Sequence, residues 1–510
     1  MSDRTHSTSP NRDTGPAAPG APHSGKDLPR WRRTSPAHRR PRTAARPLTM
    51  FVAAAALLAA PLLPLPAAHA DAPATKATTK SGTPVAGTAA NVGTAANVGG
   101  TPDTGRAPAT AEQRRDAAQS GHDRERDSKG WRGTWAASVQ PPSLTLFPNW
   151  SREGFKQQSL RQVVRVSIGG TAARFKLSNR YGKTPLRVAG ATVGRTAKGA
   201  AVRKGTSRAL TFGEEKAVTI PAGADVFSDA LRMRVKPLES LTLTLYLAEP
   251  TGPATYHMSA SATSYRAAGD LRSDESGEAF TDTSVSWYYV AGVEVRGGPA
   301  GRRDGVVTFG DSITDGLAST VDADNRYPDE LAERYAREGR PRSVLNHGIS
   351  GNMITFGTVG TGESGVDRFK KDVLTEAGVS TVVVLEGVND VGLSEIPGSQ
   401  VPDVSVEQLI AAHRDIVRQA RAKGLKVVGA TLTPFRGAMY FSERGEVKRD
   451  ALNEWIRTSG AYDRVVDLDR ALADPADPDR LVPAYDSGDH LHLSDAGYRA
   501  LAEAIDVDSL

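Results

Sequence analysis

From Gly305 onward the chain alternates short, uncharged, β-branched runs with stretches of helical period. Val306-Val307-Thr308-Phe309, Val344-Leu345-Asn346, Val382-Val383-Val384-Leu385, Val427 to Thr431 and Val465 to Leu468 read as five strands. Between and after them, Pro328 to Arg337 reads as a helix with proline at an early position. Residues 405–423 place Leu409, Ile410, His413, Ile416, Val417 and Ala420 on one stripe, with Gly424 as the stop. Ser494 is positioned to cap a last helix through Ile505. Strands without polar alternation are buried on both faces, and helices between them supply the cover. The pattern therefore specifies an α/β fold with a parallel sheet over residues 301–510.

The chain upstream follows a different rule. Val164, Val166 and Ile168 alternate with Arg165 and Ser167. Arg174 to Ser178 alternates again, and Leu241 to Leu247 keeps a strict period of two. Tyr288-Tyr289-Val290 and Val293 to Val295 add another strand, and Gly169-Gly170, Tyr181-Gly182 and Pro221-Ala222-Gly223 supply turns. Many short strands at this spacing predict an all-β sandwich or jelly-roll-like domain over 131–300. Residues 71–130 are rich in Ala, Thr and Gly and repeat the phrase Thr-Ala-Ala-Asn-Val-Gly at 88–93 and 94–99. Such a stretch buries too little apolar area to offset its ordering entropy and reads as a flexible linker.

Residues 1–70 read as a secretory signal. Arginines cluster from Arg30 to Arg46, an apolar run follows from Phe51 to Leu65, and Ala68-His69-Ala70 closes it, so cleavage is expected after Ala70. The apolar run is broken by Pro61, Pro64 and Pro66 and falls short of the roughly 20 residues of a membrane span. The paired arginines fit the twin-arginine route poorly, and the long leader leaves the true start codon open. The net charge of +6 resides here: the first 70 residues hold 10 Lys+Arg and 3 Asp+Glu, leaving 54 basic and 55 acidic residues in the rest. A chain neutral outside its leader has no electrostatic footprint for nucleic acid. With no cysteine, disulfides and thiolate chemistry are excluded.

Four features follow strands or open helices, where open parallel sheets gather function. Ser312 stands three residues after Phe309; Gly310 permits a tight turn there, and Ser312 reads equally well as a nucleophile or as a helix N-cap. Gly351, in Asn346-His347-Gly348-Ile349-Ser350-Gly351-Asn352, offers an N–H to an oxyanion or forms an ordinary glycine turn. Asn389, in Glu386-Gly387-Val388-Asn389-Asp390, offers an amide donor, with an Asx turn as the bland alternative and Asp390 as a cap. One such oxyanion donor is worth about 3 kcal/mol in a transition state. Asp489-His490-Leu491-His492 precedes the last helix; a serine nucleophile needs a base and the base an orienting acceptor, which Asp489 and His492 supply at a spacing of three. His490 is a rival base, and Asp486, Asp489, His490 and His492 together a rival metal site.

In chain order these blocks resemble the SGNH (GDSL-type) hydrolase family: Gly310-Asp311-Ser312, Gly351 within Ile349-Ser350-Gly351, Gly387-Val388-Asn389-Asp390, and Asp489-x-x-His492. The resemblance covers about 305–508, and no Gly-x-Ser-x-Gly elbow points to the α/β-hydrolase fold instead. It implies a flavodoxin-like three-layer sandwich and a Ser312–His492–Asp489 triad. It also implies an oxyanion hole from the N–H groups of Ser312 and Gly351 and the Asn389 amide, with no metal or organic cofactor. The upstream β region resembles the accessory domain of secreted bacterial members, through phrases such as Ser159-Leu160-Arg161-Gln162 and Arg174 to Asn179. The expected activity is hydrolysis of a small-molecule or polysaccharide ester: short acyl esters, acetylated carbohydrates or lipids. Trp131, Trp135, Trp150, Trp287 and Tyr288 are available for a sugar platform or for core packing. The alternatives are a carbohydrate-binding or adhesion protein with a degenerate hydrolase domain, which loss of a block residue would mark, and a metal-dependent hydrolase. Oligomeric state is not readable from the sequence.

Overall fold

In the α/β region, strands β1 (Gly305–Gly310), β2 (Val344–Gly348), β3 (Val379–Leu385), β4 (Lys426–Ala430) and β5 (Arg464–Val466) form one sheet. All pairings are parallel, in the order β2-β1-β3-β4-β5, the flavodoxin-like order. These are the five strands expected from the sequence. The computed structural model describes residues 130–144, 147–298 and 303–510; the expected leader and almost all of the expected linker lie outside the described residues.

Connectivity fixes where the helices go. The connection from β1 to β2 runs one way along the sheet and those from β2 to β3, β4 and β5 run the other way. Right-handed crossovers therefore put α2 (Tyr327–Arg337) on one face, and α3 (Gly365–Asp372), α5 (Val406–Ala422) and α6 (Glu443–Thr458) on the other. The packing agrees: α3 and α6 both pack on α5, while α2 packs on the last helix, Asp495–Ala504. The apolar stripe of α5 is buried as expected at Leu409, His413, Ile416, Val417 and Ala420. A Ser405/Gln408 capping box starts it, and Gly424 follows it at φ +71°. The fifth strand ends earlier than its apolar run, because the Asp467 side chain caps a new short helix, Leu468–Leu472.

Upstream, residues 132–296 form two large antiparallel sheets and two two-stranded ones. Strands Arg132–Ala136, Gly170–Ser178, Leu231–Val235 and Val290–Arg296 lie in one large sheet, and Gln158–Arg165, Gly190–Lys198, Ser240–Leu247 and Ser264–Ala268 in the other. Phe175, Leu177 and Val293 of the first share one core with Leu160, Val164, Leu241 and Leu243 of the second. The apolar run 288–290 is not one strand: Tyr289 turns at φ +60°, leaving Trp287–Tyr288 to pair with Tyr256–His257 while Val290 enters the first sheet beside Gly170–Ser178. Trp131, Trp135, Trp150, Trp287 and Tyr288 are all buried, so these rings pack the core and none lies open as a sugar platform.

Candidate active site

Strand β1 ends at Gly310, in register with Gly348 of β2 and Leu385 of β3. The three segments that follow these strand ends therefore start side by side, at the point where strand order reverses. Gly310 is required by space rather than by turn geometry. A Cβ there would lie 2.1 Å from the Leu385 carbonyl oxygen and 2.3 Å from Thr314 Oγ1.

The chain then makes one helical turn, α1 (Ser312–Asp315). Asp311, not Ser312, is its N-cap: its carboxylate accepts from the Ile313 N–H at 2.9 Å. With the capping role filled, Ser312 is the first helical residue, and its hydroxyl lies 2.8 Å from His492 Nε2. His492 Nδ1 lies 2.6 Å from Asp489 Oδ2, and Asp489 Oδ1 accepts from the His492 and Leu491 N–H groups at 2.8 and 3.0 Å. Burial alone would raise the Asp489 carboxyl. The His492 ring and these N–H groups outweigh it and hold the carboxyl well below the usual carboxylate range. His490, the rival base, sits at φ +63° and binds Asp486 through Nδ1 at 2.6 Å. The four Asp and His residues thus form two separate pairs, and no group of three or more such residues suited to a metal ion occurs among the described residues.

Gly351 follows β2 in a turn closed by the Asn352 N–H to the Ile349 carbonyl at 3.0 Å, and it adopts φ +78°, a conformation that favours glycine. Neither its N–H nor that of Ser312 donates a hydrogen bond to another described residue. Asn389 lies in α4 (Val388–Leu393), not in an Asx turn. Its Nδ2 donates to the Asn352 carbonyl at 2.9 Å and its Oδ1 accepts from the Tyr440 hydroxyl at 3.3 Å. The amide orientation is therefore fixed, with one N–H left over. Asp390 caps not its own helix but the neighbouring loop, accepting from the Ile354 and Thr355 N–H groups at 2.8 and 3.0 Å.

Residues 308–500 match the model of the GDSL-like Lipase/Acylhydrolase family. The α/β region is a GDSL-type hydrolase domain. Solved structures similar to it include a G-D-S-L family lipolytic protein from Desulfitobacterium hafniense (20% identity, 39% of this chain and 95% of that one, TM-score 0.30). Others are a GDSL-like lipase from Bacteroides thetaiotaomicron (20%, 41% and 88%, 0.30) and the acetyl xylan esterase AlAXEase (21%, 39% and 96%, 0.31). No curated protein matches the chain. The family assignment makes the domain an acylhydrolase type, directed at ester substrates.

Beneath the three loops of the GDSL-type domain lies a buried polar layer that the sequence reading did not foresee. Arg368 of α3, 2% exposed, donates to the Gly310 carbonyl at the end of β1, the His347 carbonyl in β2 and Asn352 Oδ1, at 2.8, 2.8 and 2.7 Å. One guanidinium thus ties together the strand ends that carry Ser312 and Gly351. Asp311, Glu386 and Asp390 are all fully buried nearby. Burial and mutual repulsion push Glu386 and Asp311 well above the usual carboxyl range, and burial pushes Asp390 up to about 6. A charged residue in an amphipathic helix carries little sequence mark of burial; the one available signal was the i,i+4 spacing of Arg368 and Asp372, which form an ion pair at 3.3 Å.

Proposed function

We propose that the chain is a secreted serine carboxylic-ester hydrolase that works through an acyl-enzyme on Ser312. The observation that carries this reading is the continuous Ser312–His492–Asp489 hydrogen-bond chain, with the N–H groups of Ser312 and Gly351 beside it donating to no other described residue. His492 Nε2 takes the Ser312 proton as Oγ bonds to the ester carbonyl carbon. The oxyanion is held by the Ser312 and Gly351 N–H groups and the spare Asn389 N–H. The ester C–O bond then breaks, and the leaving alcohol receives the proton from His492. Water, deprotonated by the same ring, attacks the acyl carbon, and collapse returns the acid and the free serine. Asp489 fixes the proton on Nδ1 and stabilises the imidazolium in both steps.

Substrates are short acyl esters, acetylated carbohydrates or lipids, and the chemistry calls for no cofactor. Secretion rests on the basic–apolar–small-residue order of the leader, and the exported protein is expected to begin at Asp71. The binding-protein alternative gains no support, since every block residue is present. The test is hydrolysis of p-nitrophenyl acetate by folded Ser312→Ala protein: activity is expected to vanish, and a wild-type rate overturns the mechanism.

A further inference from the structure

The β region and the GDSL-type domain meet through buried polar groups, and one of these reaches the nucleophile turn. His257, on the two-residue strand Tyr256–His257, is 2% exposed. Its Nδ1 lies 2.7 Å from the Ser138 carbonyl oxygen; its Nε2 lies 2.9 Å from Asp315 Oδ1 and 3.2 Å from the Ser259 carbonyl oxygen. Carbonyls only accept, so Nδ1 must carry a proton. A carboxylate also only accepts, so Nε2 must carry one too. The ring that satisfies all three partners is an imidazolium paired with an ionised Asp315. Burial alone would lower the His257 pKa, but Asp315 and the two carbonyls outweigh it and raise it.

Asp315 has two further obligations. It is the last residue of α1, three positions after Ser312. Its Oδ2 accepts from both the N–H and the hydroxyl of Ser350, at 2.8 and 2.7 Å, and Ser350 immediately precedes Gly351. A single carboxylate therefore joins the turn that carries Ser312 to the loop that carries Gly351, and its other oxygen is gripped by the β region. Beside the pair lies a cavity of about 30 Å³, lined by Trp135, Trp287, Arg326 and Asn346 among others. That is room for only a water or two.

We propose that His257 is a positioning residue of the hydrolase site, supplied by the β region: its imidazolium clamps Asp315, and that carboxylate holds the Ser312 turn and the Ser350–Gly351 loop in one register. The inference rests on Ser312 as nucleophile and Gly351 as oxyanion donor. It gives the β region a part in the chemistry. Loss of the clamp leaves the ester-binding surface in place and loosens the alignment of nucleophile and donor, so it acts on kcat rather than KM.

The test uses the full chain. His257→Leu and the near-isosteric Asp315→Asn are each expected to lower kcat for p-nitrophenyl acetate by roughly 10- to 100-fold, the range that a small misplacement of reacting groups produces, with KM little changed. Nitrogen-15 NMR of the wild-type histidines at pH 7.5 is expected to show one ring protonated at both nitrogens, and that signal is expected to disappear in His257→Leu. Wild-type kcat in either folded variant overturns the proposal, as does the lack of a doubly protonated ring assignable to His257. Should His257→Leu fail to fold, Asp315→Asn and the wild-type spectrum decide. Full activity in Ser312→Ala overturns the nucleophile assignment itself, which separates the two failures.

Discussion

Asp489→Asn is a near-isosteric change whose consequence can be worked out atom by atom. Asp489 Oδ1 is fixed by the His492 and Leu491 N–H groups at 2.8 and 3.0 Å, with the Ser487 hydroxyl at 3.1 Å. All three are donors, so the asparagine carbonyl must take the Oδ1 position and its NH2 must take that of Oδ2. The NH2 then faces His492 Nδ1, which lies 2.6 Å from that position in the parent protein. Nδ1 can no longer donate; it becomes the acceptor and the ring proton moves to Nε2. Nε2 now donates to Ser312 Oγ, 2.8 Å away, and cannot remove the serine proton. Every heavy atom stays near its place while the base is lost. A wrong histidine tautomer of this kind lowers kcat by about 10⁴-fold, about 5.5 kcal/mol of barrier. KM should change little, because Asp489 does not touch the ester. The assay is steady-state hydrolysis of p-nitrophenyl acetate at pH 7–8, with circular dichroism to confirm the fold. Folded Asp489→Asn protein with kcat within about tenfold of wild type would refute the assignment of His492 as the base oriented by Asp489.

Three further outcomes follow from the same geometry. His490→Ala should leave kcat essentially unchanged, because that ring binds Asp486 and not Ser312; a loss comparable to that of His492→Ala would reopen the choice of base. Arg368→Met should destabilise the fold by about 3–5 kcal/mol in urea unfolding, since it leaves buried carbonyls and carboxylates without their cation; a loss under about 1 kcal/mol would contradict the linking role assigned to it. Buried His413 has its pKa pushed down from 6.5 to about 4 by desolvation. The unfolded chain therefore takes up that proton first as pH falls, and stability present above pH 6.5 is lost between 6.5 and about 4, on the order of 3 kcal/mol. His413→Gln should flatten the dependence of urea midpoint on pH across this window, and an unchanged slope would argue against a neutral buried ring.

Four of the five parallel strands were legible because burial on both faces favours an uncharged run, a local property of sequence; the edge strand Arg464–Val466, with Arg464 and Val465 exposed, was marked only by its β-branched pair. The four blocks were legible for a related reason: each lies within a few residues of a strand end or a helix start. What a residue does there was harder to read. Ser312 and Asp311 are both good capping residues, and only the structure shows Asp311 taking the cap and freeing the serine hydroxyl. Arg368 and His257 left little trace, because their roles come from pairings across long sequence distances, 58 residues from Arg368 to Gly310 and also 58 from His257 to Asp315. Tyr289 was read as part of a continuous strand since nothing in an aromatic pair predicts a left-handed backbone. It is held there by pairings on either side in two different sheets.

The central claim is that Ser312 is the residue that becomes acylated. The direct measurement is treatment of the full chain with a fluorophosphonate, which reacts with activated serines, followed by intact mass and peptide mapping. One adduct per chain is expected, on the peptide containing Gly310-Asp311-Ser312, and none in Ser312→Ala. An adduct on a different serine, or undiminished labelling of the Ser312→Ala protein, would contradict the account.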